Sequence, residues 1–237
     1  MNGELLDICI VTYNRLEYLR RCVWSIIMST TVPYRLFVLS DHSLDGTEVW
    51  MREMRHHSKI YKVLFNESNM GTAYSFNRVI RDTESSWFVQ ACDDMYFHRG
   101  WDKAAIGLTK EFDDCGMASF WDFPKRENDT ARKPINDNTD FRQSTGLACT
   151  LMNRDLFNRV GGYVLPEGIK MGYFAKGFCK SATELGKEGF TRWRQYLTVP
   201  EYAVQMDRTK RYSQEYLYQD YAEKRNKEKR KFKGLEQ

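Results

Sequence analysis

The sequence predicts an α/β fold in which helices cover both faces of a mostly parallel central sheet. Two observations support this prediction. Short apolar segments rich in β-branched residues alternate with segments of helical periodicity over the first 100 residues, as in successive β-α-β units. Each apolar segment is also followed by a polar loop, and such loops at the carboxyl ends of parallel strands are where α/β sheets bind ligands.

The first 100 residues contain four predicted strands and three predicted helices. The strands are the apolar runs 7–12, 35–39, 62–65 and 87–91. The helices run from Leu16 to before Pro33 with Asn14 as the N-cap, from the loop SDHSLDGT to about His56, and from Thr72 to about Arg81.

The second half is less regular. It contains a predicted helix over 101–112 and predicted strands over 117–123 and 146–152. A short helix capped by Asn153 or Asp155 and a longer helix over 173–187 follow. The last predicted elements are a partly extended stretch over 196–204 and a charged helix from Tyr212. A long polar loop, 125–144, separates the two strands, and its length suits an acceptor-site loop or a lid. No internal repeat or linker is visible, so one continuous domain over 1–211 is expected, before a basic helix or tail over 212–237.

Composition narrows the class of protein. Hydrophobic residues make up 42% of the 237 residues, which is enough for a buried core. No stretch has the roughly 20 apolar residues of a membrane span, and the N-terminus lacks the features of a signal peptide. The six cysteines show no paired spacing, so we expect free thiols in a reducing cytoplasm.

The net charge of +4 is unevenly distributed, because Lys and Arg are concentrated between Arg208 and Lys233. This run is either a solvated helix face or tail, or a contact for an anionic partner such as nucleic acid, a phosphorylated acceptor or a membrane surface.

Five fragments together resemble a known family. They are DICIVTYNRLEYLRRCVWSI, SDHSLDGT, NMGTAYSFNRVI, ACDDM and LMNRDLFNRVGGY, in that order. The chain resembles the family 2 glycosyltransferases, which have the GT-A nucleotide-diphospho-sugar transferase fold, over residues 5–100 and more loosely over 144–165. This resemblance implies a nucleotide-binding half over 1–100 and an acceptor half over 101–211.

Asp93 and Asp94 directly follow a predicted buried strand. A nucleoside diphosphate needs its charge neutralised, and a hard divalent cation held by carboxylates does this. The resemblance implies Mn²⁺ or Mg²⁺, with Asp94 as the direct ligand and catalytic residue and Asp93 in contact with ribose or a bound water. The alternative is that adjacent acids only begin a turn.

Four residues lie where the first strand meets its helix: Thr12, Tyr13, Asn14 and Arg15. The ring of Tyr13 is suited to stacking on a base, and nearby backbone N–H groups are suited to contacting the nucleotide. The alternative is a helix cap with one packed aromatic ring.

Further nucleotide contacts are implied at the next two loops. By resemblance, the carboxylate of Asp41 accepts the N3–H of uracil, which favours a UDP-sugar donor. Asn69 and Gly71 form a tight loop near the nucleotide. Arg78 either approaches the phosphates or is solvated, and Asp45 is either a turn and N-cap residue, which we favour, or a ligand contact.

The expected general base is missing. Inverting family members carry a Glu-Asp pair that falls near Gly177 and Phe178 here, where there is no acid. Three explanations remain open. Glu167 or an acid of the long loop (Asp137 or Asp140) is the base, the enzyme is retaining and needs none, or the chain binds a nucleotide without transferring sugar. We favour retention.

The metal site also departs from the family, because the histidine ligand that many GT-A enzymes add late in the domain is absent. Asp207 offers a carboxylate in its place or is a surface acid, and Arg208, Lys210 and Arg211 follow it toward the diphosphate. The four histidines show no ligand spacing.

Trp121 and Phe123 are either core residues or a platform for a sugar ring.

These features predict a metal-dependent glycosyltransferase that moves a sugar from a nucleotide-sugar donor to an unknown acceptor. A nucleotidyltransferase would need a glycine-rich basic loop after the first strand, which TYNRLEY is not. Two alternatives remain: a non-catalytic module that binds nucleotide or nucleic acid, and a transferase that acts on modified DNA.

Overall fold

The computed structural model describes residues 5–121, 132–142, 147–164, 174–198 and 202–206. The strands are β1 (Leu6–Thr12), β2 (Tyr34–Ser40), β3 (Lys62–Phe65), β4 (Trp87–Cys92), β5 (Met95–Phe97), β6 (Cys115–Ser119), β7 (Arg132–Asn136), β8 (Thr139–Arg142), β9 (Cys149–Asn153), β10 (Arg194–Thr198) and β11 (Ala203–Gln205). The helices are α1 (Leu16–Ser29), α2 (Thr47–Met54), α3 (Thr72–Arg81), α4 (Trp101–Glu111), α5 (Arg154–Val160) and α6 (Phe174–Lys187).

Nine strands of the described residues form one sheet in the order β3-β2-β1-β4-β9-β6-β10-β8-β7. The first four are parallel, and β1 lies between β2 and β4 with Ile8 opposite Leu36 and Val89. Since the carboxyl ends of parallel strands share one edge of a sheet, the loops after β1 to β4 lie together there. The predicted α/β fold with a mostly parallel central sheet is confirmed.

The second half of the chain continues the same sheet. Strand β9 is antiparallel to both β4 and β6, whereas β10 is parallel to β6 and antiparallel to β8. The halves on either side of residue 100 therefore share one sheet, because β4 pairs directly with β9.

Alternating side chains of the strands pack into two cores, one on each face of the sheet. Ile8 and Ile10 of β1 join the core formed with α1, α2 and α4, while Cys9 and Val11 join the core formed with α3, α5 and α6. This period of two is that of a strand buried on both faces. Such a strand is held in place because each fully buried large apolar side chain stabilises by about 1.5–3 kcal/mol.

Several local predictions need correction. Arg15 is the N-cap of α1, and its own side chain makes no capping hydrogen bond. Asn14 has a φ of 51° and its Oδ1 accepts a hydrogen bond from the Leu44 amide, 2.7 Å away, so it joins two loops instead.

The expected loop over 125–144 contains the β7–β8 hairpin, and the expected strand over 117–123 is β6, which ends at Ser119. The predicted cap at Asn153 is confirmed, since its Oδ1 accepts from the Leu156 amide at 3.1 Å.

A buried ion pair joins the amino-terminal edge of the sheet. The Asp7 carboxylate accepts two hydrogen bonds from the Arg35 guanidinium, at 2.7 and 2.9 Å, and one each from the amides of Glu84 and Ser85. Asp7 is fully buried. These partners fix β1 to β2 and to the segment before β4.

All six cysteines are free thiols. Among the described residues, no helix combines the length and the apolar character that crossing a bilayer requires.

Candidate functional site

The loops at the carboxyl edge of the parallel strands are hydrogen-bonded to one another. The Asp41 amide donates to the Thr12 carbonyl oxygen at 2.8 Å, which continues the β1–β2 ladder into the loops. The Asn14 amide donates to Ser43 Oγ at 3.0 Å, and the Asn14 side chain bonds back to Leu44. The loops after β1 and β2 are therefore one connected surface.

Tyr13 stands on this surface with 45% of its area exposed, whereas Thr12 beside it is buried. The ring is therefore accessible to a ligand at the edge of the sheet. The loop after β2 is held by Asp45, whose carboxylate accepts hydrogen bonds from the amides of Leu16 and Thr47, both at 3.1 Å. Asp45 thus holds the first turns of α1 and α2, whereas the N-cap of α2 is Gly46 and not Asp45 as predicted.

Asp93 and Asp94 form a buried acidic pair directly after β4. The relative exposure of each residue is about one twentieth, at 6% and 5%. Thr12 Oγ1 donates to Asp93 Oδ2 at 2.7 Å, and Arg15 Nη1 lies 3.0 Å from Asp94 Oδ2 and 3.7 Å from Asp93 Oδ1. Thr12, Arg15, Asp93 and Asp94, all predicted site residues, are thus brought together.

The electrostatics of this pair favour an added cation. The pKa of Asp93 is raised to about 7, mainly by burial and also by the nearby Asp94 charge, against the opposing effects of Arg15 and the Thr12 hydroxyl. Burial and a like charge both disfavour the ionised form of a carboxyl group. Among the described residues, only the Arg15 guanidinium forms an ion pair with these two carboxylates, so a divalent ion would relieve the remaining repulsion.

A divalent cation fits these residues as a ligand set that is completed by other oxygens. Among the described residues, no three Asp, Glu, His or Cys side chains converge as a metal site. Magnesium and similar ions are commonly held by one or two carboxylates together with substrate phosphates and water. The acidic pair therefore suits an ion that arrives with a diphosphate.

Sequence reasoning missed Gln205. This residue of β11 donates from Nε2 to Asp94 Oδ2 at 2.9 Å, and the Met206 amide donates to the Asp94 carbonyl oxygen at 2.7 Å. Strand β11 reaches Asp94 because it pairs antiparallel with β5, with Gln205 opposite Met95. In the sequence, the segment AVQMD contains Gln205, but the residue predicted there as a metal ligand was Asp207.

The loop after β3 is tied to the end of β2 by Asp41. The Asp41 carboxylate accepts from Asn66 Nδ2 at 2.6 Å and from the amides of Met70 and Gly71 at 2.8 Å each. Asn66, which the sequence analysis did not select, is buried at 4% exposure. The predicted residue Asn69 lies in the same loop and is partly exposed.

Gly71 and Arg78 also help to fix the conformation of this loop. Gly71 has a φ of 86° and a ψ of 158°, a conformation that residues with a side chain rarely adopt. Arg78 donates from Nη1 to the Phe65 carbonyl oxygen at 2.7 Å and to the Asn66 side-chain oxygen. The guanidinium of Arg78 is therefore bonded to the chain that precedes the loop.

Two of the predicted acids of the second half, Asp137 and Asp140, lie in the described part of the chain and do not join the pair. Asp137 is exposed in the turn between β7 and β8, and Asp140 is buried in β8 opposite Leu197. Four strand spacings of about 4.8 Å, so about 19 Å, separate β4 from β8 in this sheet. Gly177 and Phe178 lie inside α6, with Phe178 in the core.

Other predicted residues lie outside the described ranges: Glu167, Asp207, Phe123 and the basic segment from 208 onward. Trp121 is described, and it is 3% exposed and packed in the core with α1, α2 and α4. Its ring is not a surface platform for a sugar.

Comparison with known proteins identifies a family and a fold. The family model described as glycosyl transferase family 2 matches residues 7–162. A search of curated proteins by sequence found no match.

Three solved structures share the fold at low sequence identity. A mannosyltransferase from Pyrobaculum calidifontis, in complex with GDP-Man and Mn²⁺, has a TM-score of 0.60, 17% identity and 81% coverage of this chain. GalNAc-T7 with UDP, GalNAc and Mn²⁺ has a TM-score of 0.68 at 13% identity, covering 83% of this chain. TarS residues 1–349 from S. aureus have a TM-score of 0.60 at 16% identity, covering 84%. The match spans only 56%, 43% and 59% of those three chains, respectively.

Proposed function

The chain belongs to glycosyl transferase family 2, and from that premise we propose that it transfers a sugar from a nucleotide-diphosphate donor to an acceptor with the help of a divalent cation. The observation that carries the proposal is the buried Asp93–Asp94 pair at the carboxyl edge of the parallel strands, where the Arg15 guanidinium faces both carboxylates. The mannosyltransferase and GalNAc-T7 structures, each with a nucleotide or nucleotide-sugar and Mn²⁺, support the choice of ligand.

Asp94 is the proposed direct ligand of Mn²⁺ or Mg²⁺, with Asp93 beside it. The cation would neutralise the diphosphate as it departs, which is the Lewis-acid contribution of a bound metal. The protein contributes orientation: Thr12 fixes the Asp93 carboxylate, while Arg15 and Gln205 fix that of Asp94. Groups held in this way need little rearrangement when charge develops.

The nucleoside is proposed to lie across the loops after β1, β2 and β3. The exposed Tyr13 ring offers a face for stacking, and the adjacent Thr12, Asn14 and Arg15 lead from the base toward the acidic pair. UDP-sugar and GDP-sugar donors both remain in this proposal, since the related structures hold GDP-Man in one case and UDP in another.

For the acceptor step, one variant distinguishes two mechanisms. If Glu167 is the general base of an inverting reaction, Glu167→Gln abolishes transfer and leaves donor binding intact. If the leaving diphosphate takes the proton with retention, as we propose, the same variant transfers sugar at a rate close to that of the unmodified protein. The anomeric configuration of the product, determined by NMR, gives the independent answer.

A binding screen tests the proposed function. Thermal shift and calorimetry are measured with UDP, GDP and their common sugar conjugates, with and without Mn²⁺. We expect one donor class to stabilise the protein only when the metal is present. Asp94→Asn should remove this stabilisation, whereas Asp155→Asn on the exposed face of α5 should not, because Asp155 pairs only with Arg159 among the described side chains.

A negative screen would overturn the proposal. Absence of stabilisation by any donor with metal, together with absence of donor hydrolysis, would leave a non-catalytic module as the function of this fold.

A further inference from the structure

The carboxylate of Asp41 is bound by three donors from its own chain. Asn66 Nδ2 and the Met70 amide both donate to Oδ1, at 2.6 and 2.8 Å, and the Gly71 amide donates to Oδ2 at 2.8 Å. Asp41 is 3% exposed. Hydrogen bonds to an ionised acceptor are short and strong, so this carboxylate is a fixed part of the loop after β3.

Asn66 extends these contacts into helix α3. Its Nδ2 also donates to Ser75 Oγ at 2.8 Å, and its Oδ1 accepts from the Arg78 guanidinium. Ser75 is fully buried. The end of β2, the loop 66–71 and the first turns of α3 are thereby joined into one polar network in which Asp41 is the acidic centre.

The network fixes the conformation of the loop at the edge of the site. Neighbouring amides at Met70 and Gly71 point at one carboxylate, and Gly71 takes the backbone conformation that lets them do so. Buried N–H groups without a partner are costly. The loop therefore holds this shape only while the acceptor oxygens of Asp41 are present.

We propose that Asp41 is a positioning residue, which orders the loop 66–71 for the nucleotide and does not itself read the base. This inference rests on the proposed nucleotide site and deepens it. A residue that read uracil N3–H would be needed by uridine nucleotides alone, whereas a residue that orders the loop is needed by every nucleotide that contacts the loop. The base preference of the donor is then set by groups other than this carboxylate.

The test compares Asp41→Asn with Asn66→Ala. Asp41→Asn replaces one of the two acceptor oxygens by an NH₂ donor, and Asn66→Ala removes the link to Ser75 and Arg78. Dissociation constants for UDP, GDP and ADP with Mn²⁺ are measured by calorimetry on folded protein. Both variants should weaken every nucleotide that the unmodified protein binds, by about tenfold and by similar factors.

Glu53→Gln is the matched control. It removes one negative charge from an exposed position of α2, outside the loop 66–71, and should leave affinity unchanged. Hydrogen exchange of the Met70 and Gly71 amides, measured without nucleotide, should be faster in both network variants and unchanged in the control. If Asp41→Asn does not fold, Ser75→Ala provides the milder variant and should shift exchange and affinity in the same direction.

Two results would overturn the proposal. One is a loss of affinity in Asp41→Asn that is confined to uridine nucleotides or is absent in Asn66→Ala, which would make Asp41 the base reader. The other is unchanged exchange at Met70 and Gly71. Failure of the unmodified protein to bind any nucleoside diphosphate would count against the proposed function instead, and the exchange measurement would still decide the role of Asp41 in the loop.

Discussion

The guanidinium of Arg15 lies 3.0 Å from the Asp94 carboxylate and 3.7 Å from that of Asp93, so its positive charge faces two buried acids. Under the proposed function, Arg15 holds its charge close to where a metal ion would bind. The residue balances the acids in the free protein and would compete with an added cation for them.

Arg15→Gln should therefore tighten Mn²⁺ binding in the absence of nucleotide. Loss of a positive charge within 4 Å of the ligand carboxylates favours the divalent ion, and we expect an affinity increase of about fivefold. Electron paramagnetic resonance of free Mn²⁺ measures it. Arg20→Gln is the control, because Arg20 is exposed on α1 and pairs with Glu17. Equal or weaker Mn²⁺ binding in Arg15→Gln would contradict the competition.

Gln205→Leu should weaken metal-dependent nucleotide binding. The change leaves Asp94 Oδ2 without the donor that now lies 2.9 Å away. We expect a loss of about fivefold in affinity, since a hydrogen bond to a charged group is worth more than one between neutral groups. Calorimetry with nucleotide and Mn²⁺ measures it. Val204→Ala changes the exposed neighbour on the same strand and should have no effect. A similar loss in both variants would point to a general loosening of β11.

Asp7 should make the protein sensitive to acid. Hydrogen bonds from Arg35 and from the amides of Ser85 and Glu84 lower the pKa of Asp7, against the opposing effect of burial. The folded protein thus holds the charged form more tightly than the unfolded chain. This stabilisation is present above the ordinary pKa of an aspartate, near 4, and is lost as the pH falls through the lower pKa of the folded state.

Asp7→Asn should accordingly lower the free energy of unfolding at pH 7 by about 3 kcal/mol, because it leaves the Arg35 guanidinium without its buried partner. Urea denaturation between pH 2 and pH 7 should show a shallower acid limb for the variant. Asp155→Asn, at an exposed ion pair of α5, should preserve the acid limb. A parallel pH profile for Asp7→Asn and the unmodified protein would refute the assignment.

Two glycines of α6 should respond in opposite ways to alanine. A Cβ at Gly186 would lie 2.3 Å from ring atoms of Trp193, whereas a Cβ at Gly177 meets no described atom within 4 Å. Gly186→Ala should destabilise by about 1–3 kcal/mol through overpacking. Gly177→Ala should stabilise by about 0.5–1 kcal/mol, because alanine loses less backbone entropy in a helix. Thermal denaturation gives both values, and the same sign for the two variants would contradict this packing.

Most of the parallel half of the fold was predictable because its signals are local. Lys62–Phe65 and Thr72–Arg81 have the predicted bounds, since each segment has a clear period and a polar boundary. The direction of β9 was not predictable, because an apolar run buried on both faces has the same composition in either direction. Strands β5 and β11 are each three residues long and form by pairing with each other. Because they are so short, no pattern in the sequence predicts them.

The candidate site was predictable where residues follow a strand directly. Asp93, Asp94, Thr12 and Arg15 meet as expected, because adjacent parallel strands end at one edge. Gln205 and Asn66 were missed, because the role of each depends on partners remote in sequence, with Gln205 bonded to a residue 111 positions away and Asn66 to one 25 positions away. The cap predicted at Asn14 failed for the same reason, since its side chain bonds across to Leu44.

The bond from the Met206 amide to Asp94 has a consequence for biosynthesis. The ribosome synthesises Asp93 and Asp94 early, whereas Met206, whose amide donates to Asp94, is translated more than a hundred residues later. A nascent chain that has already formed strands β1 to β4 still lacks the donors that Gln205 and Met206 provide to Asp94. Premature termination before β11 therefore yields a polypeptide that contains all nine described strands of the main sheet but an acidic pair without these partners.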